Sequence, residues 1–206
     1  MAIRNAPPRL VLASASPRRR TLLAQIGVVP AEIVAPEIDE RPRPRELPRD
    51  LARRLAIAKA EAGAALCPDT CVLAADTVVA CGRRVLPKAE DAAAARRCLS
   101  LLSGRRHRVF GGVAVLHADG RVTARVVVTV VTFKRLSEHE IADYLASEEW
   151  HGKAGGYAVQ GRAAALVRHL NGSYSNVVGL PLFETAALLR GIGCWPGPTD
   201  GPILTA

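Results

Sequence analysis

Aromatic residues are scarce: three Phe, three Tyr and two Trp make up 4% of the 206 residues. That argues against an aromatic stacking strip for single-stranded nucleic acid and leaves Leu, Val, Ile and Ala to fill the core. No helix-turn-helix or zinc module is recognisable, so a nucleic-acid partner is not expected. The five cysteines (Cys67, Cys71, Cys81, Cys98, Cys194) are odd in number and lack zinc-site spacing. They read as five free thiols in a reducing compartment. No apolar run is long enough to span a bilayer, and Pro7, Pro8 and Arg9 break up the stretch a signal peptide would need, so no membrane association and a cytoplasmic location are the expectation. Acid is short as well. Nineteen Asp and Glu stand against 28 Lys and Arg, a net charge of +9 that favours anionic partners such as phosphates or nucleotides, or else merely solubilises an Ala-rich chain.

What is present is apolar: 49% hydrophobic residues, enough for one domain of two closely joined lobes over 1–190, followed by an irregular Gly/Pro-rich tail at 191–206. Arg9–Ala13 reads as a buried strand and Ser16-Pro17 as the start of a helix that stops at Gly27. A strand at Glu32–Ala35, a proline-rich loop at Pro36–Pro48 and a helix to about Leu66 follow. Val72–Ala75 reads as a buried strand ending at Asp76, and Val78–Leu86 as a hairpin turning at Gly82. Ala92 to Leu102 has helical spacing. Strands at Arg108–Leu116 and Val122–Phe133 flank Ala118-Asp119-Gly120, a hairpin signal. Ser137 with Glu140 forms a capping box. A strand at Ala164–Leu170 and a helix at Leu182–Leu189 close the pattern. Helices alternating with strands, with hairpins intruding midway, indicate an α/β fold with a mixed sheet.

Four places carry chemistry. Ser14 to Arg20 spans a strand-to-helix turn, where free N–H groups and the positive helix end meet Arg18 and Arg19, whose guanidinium forks match phosphate. Cations there oppose the helix dipole unless an anion is bound. Asp76, after a buried strand, is placed where α/β ligands collect and is suited to activate water, hold a metal or simply cap a turn. Lys153 to Gly161 offers Lys153 to a phosphate and Gln160 to a base edge, or is a flexible loop. Glu37, Asp39 and Glu40 either share a magnesium ion with phosphates or lie on a solvated loop. Lys59 and Lys88 are weak signals alone.

Taken together these residues resemble the Maf family of nucleoside triphosphate pyrophosphatases. The similar runs occur in order: Leu12-Ala13-Ser14-Ala15-Ser16-Pro17-Arg18-Arg19, Ile38-Asp39-Glu40, Ala58-Lys59-Ala60, Ala75-Asp76-Thr77-Val78-Val79, Leu101-Leu102-Ser103-Gly104, Lys153-Ala154-Gly155, Val159-Gln160-Gly161 and Asn176-Val177-Val178-Gly179-Leu180-Pro181. The resemblance spans about Leu10 to Leu189. It implies an elongated, twisted mixed sheet flanked by helices, two lobes with a central cleft, a homodimer, and cleavage of a nucleoside triphosphate to monophosphate and pyrophosphate with Mg2+ or Mn2+. It also implies Asp76 as proton acceptor and metal ligand with Glu40. Substrate contacts are implied for Ser14, Arg18, Arg19, Lys59, Thr77, Lys88, Lys153 and Gln160. Ala75-Asp76-Thr77 with Gln160 resembles the dTTP/UTP branch, whereas a 7-methyl-GTP branch tends to carry Ser-Asp-Gln and a Glu. The alternatives are that other nucleotide class, or a non-catalytic nucleic-acid-binding or division-regulating protein. Pro87-Lys88-Ala89 departs from the family's Gly-Lys-Pro, and Ala158 replaces a frequent Gly.

Overall fold

A computed structural model describes residues 9–195. Its centre is a seven-stranded mixed sheet in the order β2-β1-β3-β6-β7-β9, with β4 added on β3. These strands are β1 (Leu10–Ala13), β2 (Glu32–Val34), β3 (Cys71–Cys81), β4 (Arg84–Leu86), β6 (Arg106–Leu116), β7 (Val122–Phe133) and β9 (Val167–Asn171). β1 runs parallel to both β2 and β3, while β6, β7 and β9 follow antiparallel. A small second sheet pairs β5 (Lys88–Ala89) with β8 (Lys153–Ala154). The helices are α1 (Pro17–Gln25), α2 (Pro48–Leu66), α3 (Ala92–Leu102), α4 (Glu138–Ala146), α5 (Tyr174–Val178) and α6 (Leu182–Gly191).

Strand alternation sorts the core. On β3, Cys71, Leu73 and Ala75 face α1 and α6, joining Leu22, Leu23, Leu188 and Leu189. Val72 and Ala74 face the opposite way, against Ala56 and Ala60 of α2, and further along Val78 and Ala80 meet Leu51 and Leu55 of the same helix. Val79 joins the third cluster, built with α3 and α4 around Leu99, Leu102, Phe133 and Tyr144. Helix α2 lies close on the sheet because Gly112 has no side chain: a Cβ there would come within 2.0 Å of the Ala52 carbonyl oxygen.

Several elements differ from the sequence reading. β3 does not end at Asp76 but runs on to Cys81, because antiparallel pairing with β6 continues from Val72 to Ala80 and carries the polar pair Asp76-Thr77 through. The expected strand at Ala164–Leu170 is a 3-10 turn over Arg162–Leu166 followed by β9, and α5 was not foreseen. Ser16 occupies the N-cap position of α1, yet its side chain makes no cap bond. The expected hairpin at Ala118-Asp119-Gly120 and the capping box of Ser137 and Glu140 are both present.

The five-thiol expectation is corrected. Cys71 and Cys194 form a disulfide with Cα atoms 6.3 Å apart, leaving Cys67, Cys81 and Cys98 free. A separation of 123 residues hid this pairing, which forms because Cys71 opens β3 under α6 and the chain leaving α6 turns back onto it. The inference of a reducing compartment rested on free thiols and loses that support. Of the segment 191–206, Gly191 completes α6, while Ile192, Cys194 and Trp195 pack into this core, with the Arg190 guanidinium 4.3 Å from the Trp195 ring centre. Residues 196–206 lie outside the described residues. Among the described residues no helix is long and apolar enough to cross a membrane.

Candidate active site

The cleft is an interruption in the sheet. Along one edge of β3, β1 pairs with Leu10 through Ala13 against Cys71 through Ala74, and β4 pairs only from Val79 onward. Between them, Ala75–Val78 has no neighbour on that side, while β6 covers the other edge throughout. Asp76 and Thr77 sit in this gap, on opposite faces of the strand. The cavity that opens there measures about 380 Å³, within the range of small-molecule sites.

On one face Asp76, 6% exposed, accepts a hydrogen bond from Lys59 Nζ of α2 at 2.6 Å. The same ammonium lies 2.6 Å from Glu40 Oε1, and Lys88 Nζ reaches Glu40 Oε2 at 2.7 Å. Lys59 therefore bridges two carboxylates that converge on one point. Partial burial works against the Glu40 charge, but the hydrogen bonds and charges of Lys59 and Lys88 outweigh it and hold its pKa down at about 2.

On the other face, Arg19 of α1 is 8% exposed and bonded through each of its three nitrogens. Its Nη1 donates to Ser14 Oγ at 2.9 Å, Nη2 to Thr77 Oγ1 at 3.3 Å and Nε to the Gly179 carbonyl at 2.9 Å. Burial lowers its pKa, and the charges of Asp76 and Glu40 oppose that effect. Arg18 Nε reaches the Val178 carbonyl at 3.3 Å, and burial lowers this pKa too. Ser14 Oγ also accepts from the Ser16 N–H at 3.2 Å, bracing the turn ahead of α1. Lys153, on β8, donates to the His151 carbonyl at 2.9 Å; burial first, then the Arg18 charge, lower its pKa. Gln160 is exposed on the rim of the cleft.

Ten of the residues singled out from the sequence line this one cavity: Ser14, Arg18, Arg19, Glu40, Lys59, Asp76, Thr77, Lys88, Lys153 and Gln160. Glu37 and Asp39 do not; Asp39 is engaged by Arg41 at 2.9 Å. What the sequence reading missed is the floor under the arginines. The run Asn176–Pro181 was noted, but no role followed from it. Asn176 is fully buried, and its Nδ2 donates to the Val109 carbonyl at 3.2 Å and to Thr129 Oγ1 at 3.0 Å. It ties α5 to β6 and β7 and so fixes the carbonyls that receive Arg18 and Arg19. Gly111 makes room: a Cβ there would stand 1.8 Å from Asn176 Oδ1.

Chemically, the cavity offers one buried carboxylate, a second half-buried one and five cations from both walls, the complement of a polyanion that must be held and attacked. Among the described residues no three His, Cys, Asp or Glu side chains gather to hold an ion unaided. The Asp76–Glu40 pair instead suits a hard divalent ion that takes one or two carboxylates and completes its shell from phosphate and water.

Comparison with known proteins gives the family. The family described as Maf-like protein matches residues 9–192. The chain belongs to the Maf family. A Maf protein of Rhodospirillum rubrum named dTTP/UTP pyrophosphatase is 64% identical over 91% of this chain and 90% of its own length. One from Paramagnetospirillum magneticum with the same name is 63% identical over 91% and 98%. A third, from Caulobacter vibrioides, is 57% identical over 93% and 99%. The match of the Maf family ends at residue 192, just short of Cys194.

Proposed function

We propose that this Maf protein hydrolyses dTTP- and UTP-type nucleoside triphosphates to the monophosphate and pyrophosphate. The observation that carries the reading is the meeting, at the gap in β3, of the Asp76 carboxylate with Arg18, Arg19, Lys59, Lys88 and Lys153. The names of relatives 57–64% identical over most of their length support the nucleotide class. Gln160, neutral and able both to donate and to accept, suits the uncharged edge of a pyrimidine.

In this mechanism water attacks the α-phosphorus in line with the bridging oxygen to the β-phosphate. The new bond forms from the water oxygen, the α–β bridge breaks, and pyrophosphate leaves. Asp76 takes the proton from the attacking water. Arg18 and Arg19 on one wall, Lys59 and Lys88 on the other, and Lys153 from β8 neutralise the triphosphate and the leaving group, positioning being the main source of rate in such chemistry. Asp76 and Glu40 would hold a divalent cation, Mg2+ or Mn2+, which when bound supplies charge neutralisation and acidifies water. Lys59 would then release one or both carboxylates and turn to phosphate. The nucleotide pool this reaction draws on is cytoplasmic, and the protein acts as a homodimer in this reading.

Pyrophosphate release from dTTP, UTP, CTP and 7-methyl-GTP with magnesium or manganese tests the reading. Turnover confined to pyrimidine nucleotides is expected. Preference for 7-methyl-GTP, or release from none, overturns it. Asp76→Asn is expected to bind nucleotide and lose turnover by at least roughly a hundredfold, as loss of a positioned base does; near-normal rates would remove Asp76 from the role.

A further inference from the structure

The loop that carries Gln160 is braced from three sides. Tyr144 Oη of α4 accepts the Ala158 N–H at 3.0 Å, and Glu149 Oε2 accepts the Arg162 N–H at 2.7 Å. Both hold main chain. The third brace holds a side chain: Tyr157 Oη meets His107 Nε2 of β6 at 2.7 Å. His107 is 2% exposed, does not line the cleft, and takes no part in the proposed chemistry. Tyr157 does line it. The two rings and Phe133 pack edge to face, with centroids 4.9 to 5.4 Å apart. Among the described residues His107 Nδ1 has no hydrogen-bond partner, so a buried imidazole bonded through one nitrogen stands where an apolar ring would fit. What the imidazole adds over such a ring is the bond to Tyr157.

We infer that His107 is a positioning residue for the nucleoside end of the cleft, anchoring Tyr157 to β6 and so fixing where Gln160 stands. The inference rests on the proposed pyrophosphatase reading for its substrate. β6 is the right anchor: the same strand sets Gly111 and Gly112 opposite Thr77 and Asp76, so one rigid element references the base-facing loop to the carboxylate. The triphosphate grip does not pass through this bond. Arg18 and Arg19 are set by the end of α5 and Gly179 after it, Lys59 and Lys88 through Glu40, and Lys153 by the pairing of β8 with β5 and by the His151 carbonyl.

The test uses His107→Phe and Tyr157→Phe, each of which deletes the same hydrogen bond while keeping a ring in place, and their combination. Steady-state kinetics with dTTP and UTP, inhibition by inorganic pyrophosphate, and amide exchange over residues 155–161 are read together. Each single variant should raise KM roughly three- to tenfold, the worth of one hydrogen bond, with kcat and pyrophosphate inhibition within about twofold. Amides of 155–161 should exchange faster, and the double variant should be no worse than either single one. An unchanged KM, or a loss of kcat and pyrophosphate binding in step with KM, overturns the inference. If the wild-type protein turns over no nucleotide, the functional reading has failed. The latch is then judged on exchange alone: faster exchange in both variants upholds it, and unchanged exchange overturns it.

Discussion

Arg18, Arg19 and Arg20 are one run in the sequence and three different residues in the fold. Arg20 is exposed, Arg18 is half-buried against one carbonyl, and Arg19 is buried with three partners. The sequence reading gave Arg18 and Arg19 the same part, and nothing in the local pattern separates them. Arg19→Lys keeps the charge but cannot reach Ser14, Thr77 and Gly179 at once, so it is expected to lower kcat/KM by roughly a hundredfold, whereas Arg20→Ala should change it by less than about twofold. His107 gives a pH prediction. Burial pushes its pKa from 6.5 down to about 4. The unfolded chain binds the proton below about 6.5 while the folded chain refuses it until about 4. The stabilisation is therefore complete above pH 6.5 and lost as pH falls to 4. At 1.36 kcal/mol per unit the loss is about 3 kcal/mol. Urea midpoints of wild type and His107→Phe should differ in their pH dependence by that amount between pH 7 and pH 4; parallel curves would place His107 in a wetter setting.

At the scale of elements, what was legible followed periodicity and turn chemistry. The long helix α2, the hairpin of β6 and β7 and the capping box of α4 all matched, because each writes a strong local pattern. The continuation of β3 was not legible: Asp76-Thr77 breaks the apolar run, and only the partner strand shows that the break lies within a strand. Nor was α5, five residues long and defined by what Asn176 bonds to across β6 and β7. The side chains of the site could be picked out from their chemistry and their ordered runs. The carbonyls of Val178 and Gly179 could not, since a backbone oxygen leaves no mark on a sequence. The packing of α2 on the sheet yields another prediction. Gly112→Ala places a methyl group against the Ala52 carbonyl, a main-chain group that cannot rotate away, and is expected to cost about 3 kcal/mol of stability, read from urea unfolding. A Gly112→Ala protein as stable as wild type would mean α2 slides freely.

For the whole molecule the disulfide decides what kind of object this is. With Cys71 joined to Cys194 a loop of 123 residues is closed, and the loop-entropy view puts its worth at up to about 5 kcal/mol. Thiol titration of the denatured, unreduced protein should find three reactive cysteines, rising to five after reduction, and Cys194→Ser should lower the melting temperature by several degrees. Five thiols before reduction would return the pair to the free state read from the sequence.

The bond between Arg19 and the Gly179 carbonyl also imposes a schedule. These partners lie 160 residues apart. A ribosome adding about 5–20 residues per second takes roughly 8–32 s to pass from one to the other. Throughout that interval the nascent chain already displays its basic turn, with Ser14 and later Thr77 available to Arg19 but the Val178 and Gly179 carbonyls still to come. A chain that ends before Gly179 carries every charged residue of the cleft but lacks a carbonyl that sets Arg19. The segment that finishes the setting of the basic turn is thus made late in synthesis, long after the turn itself.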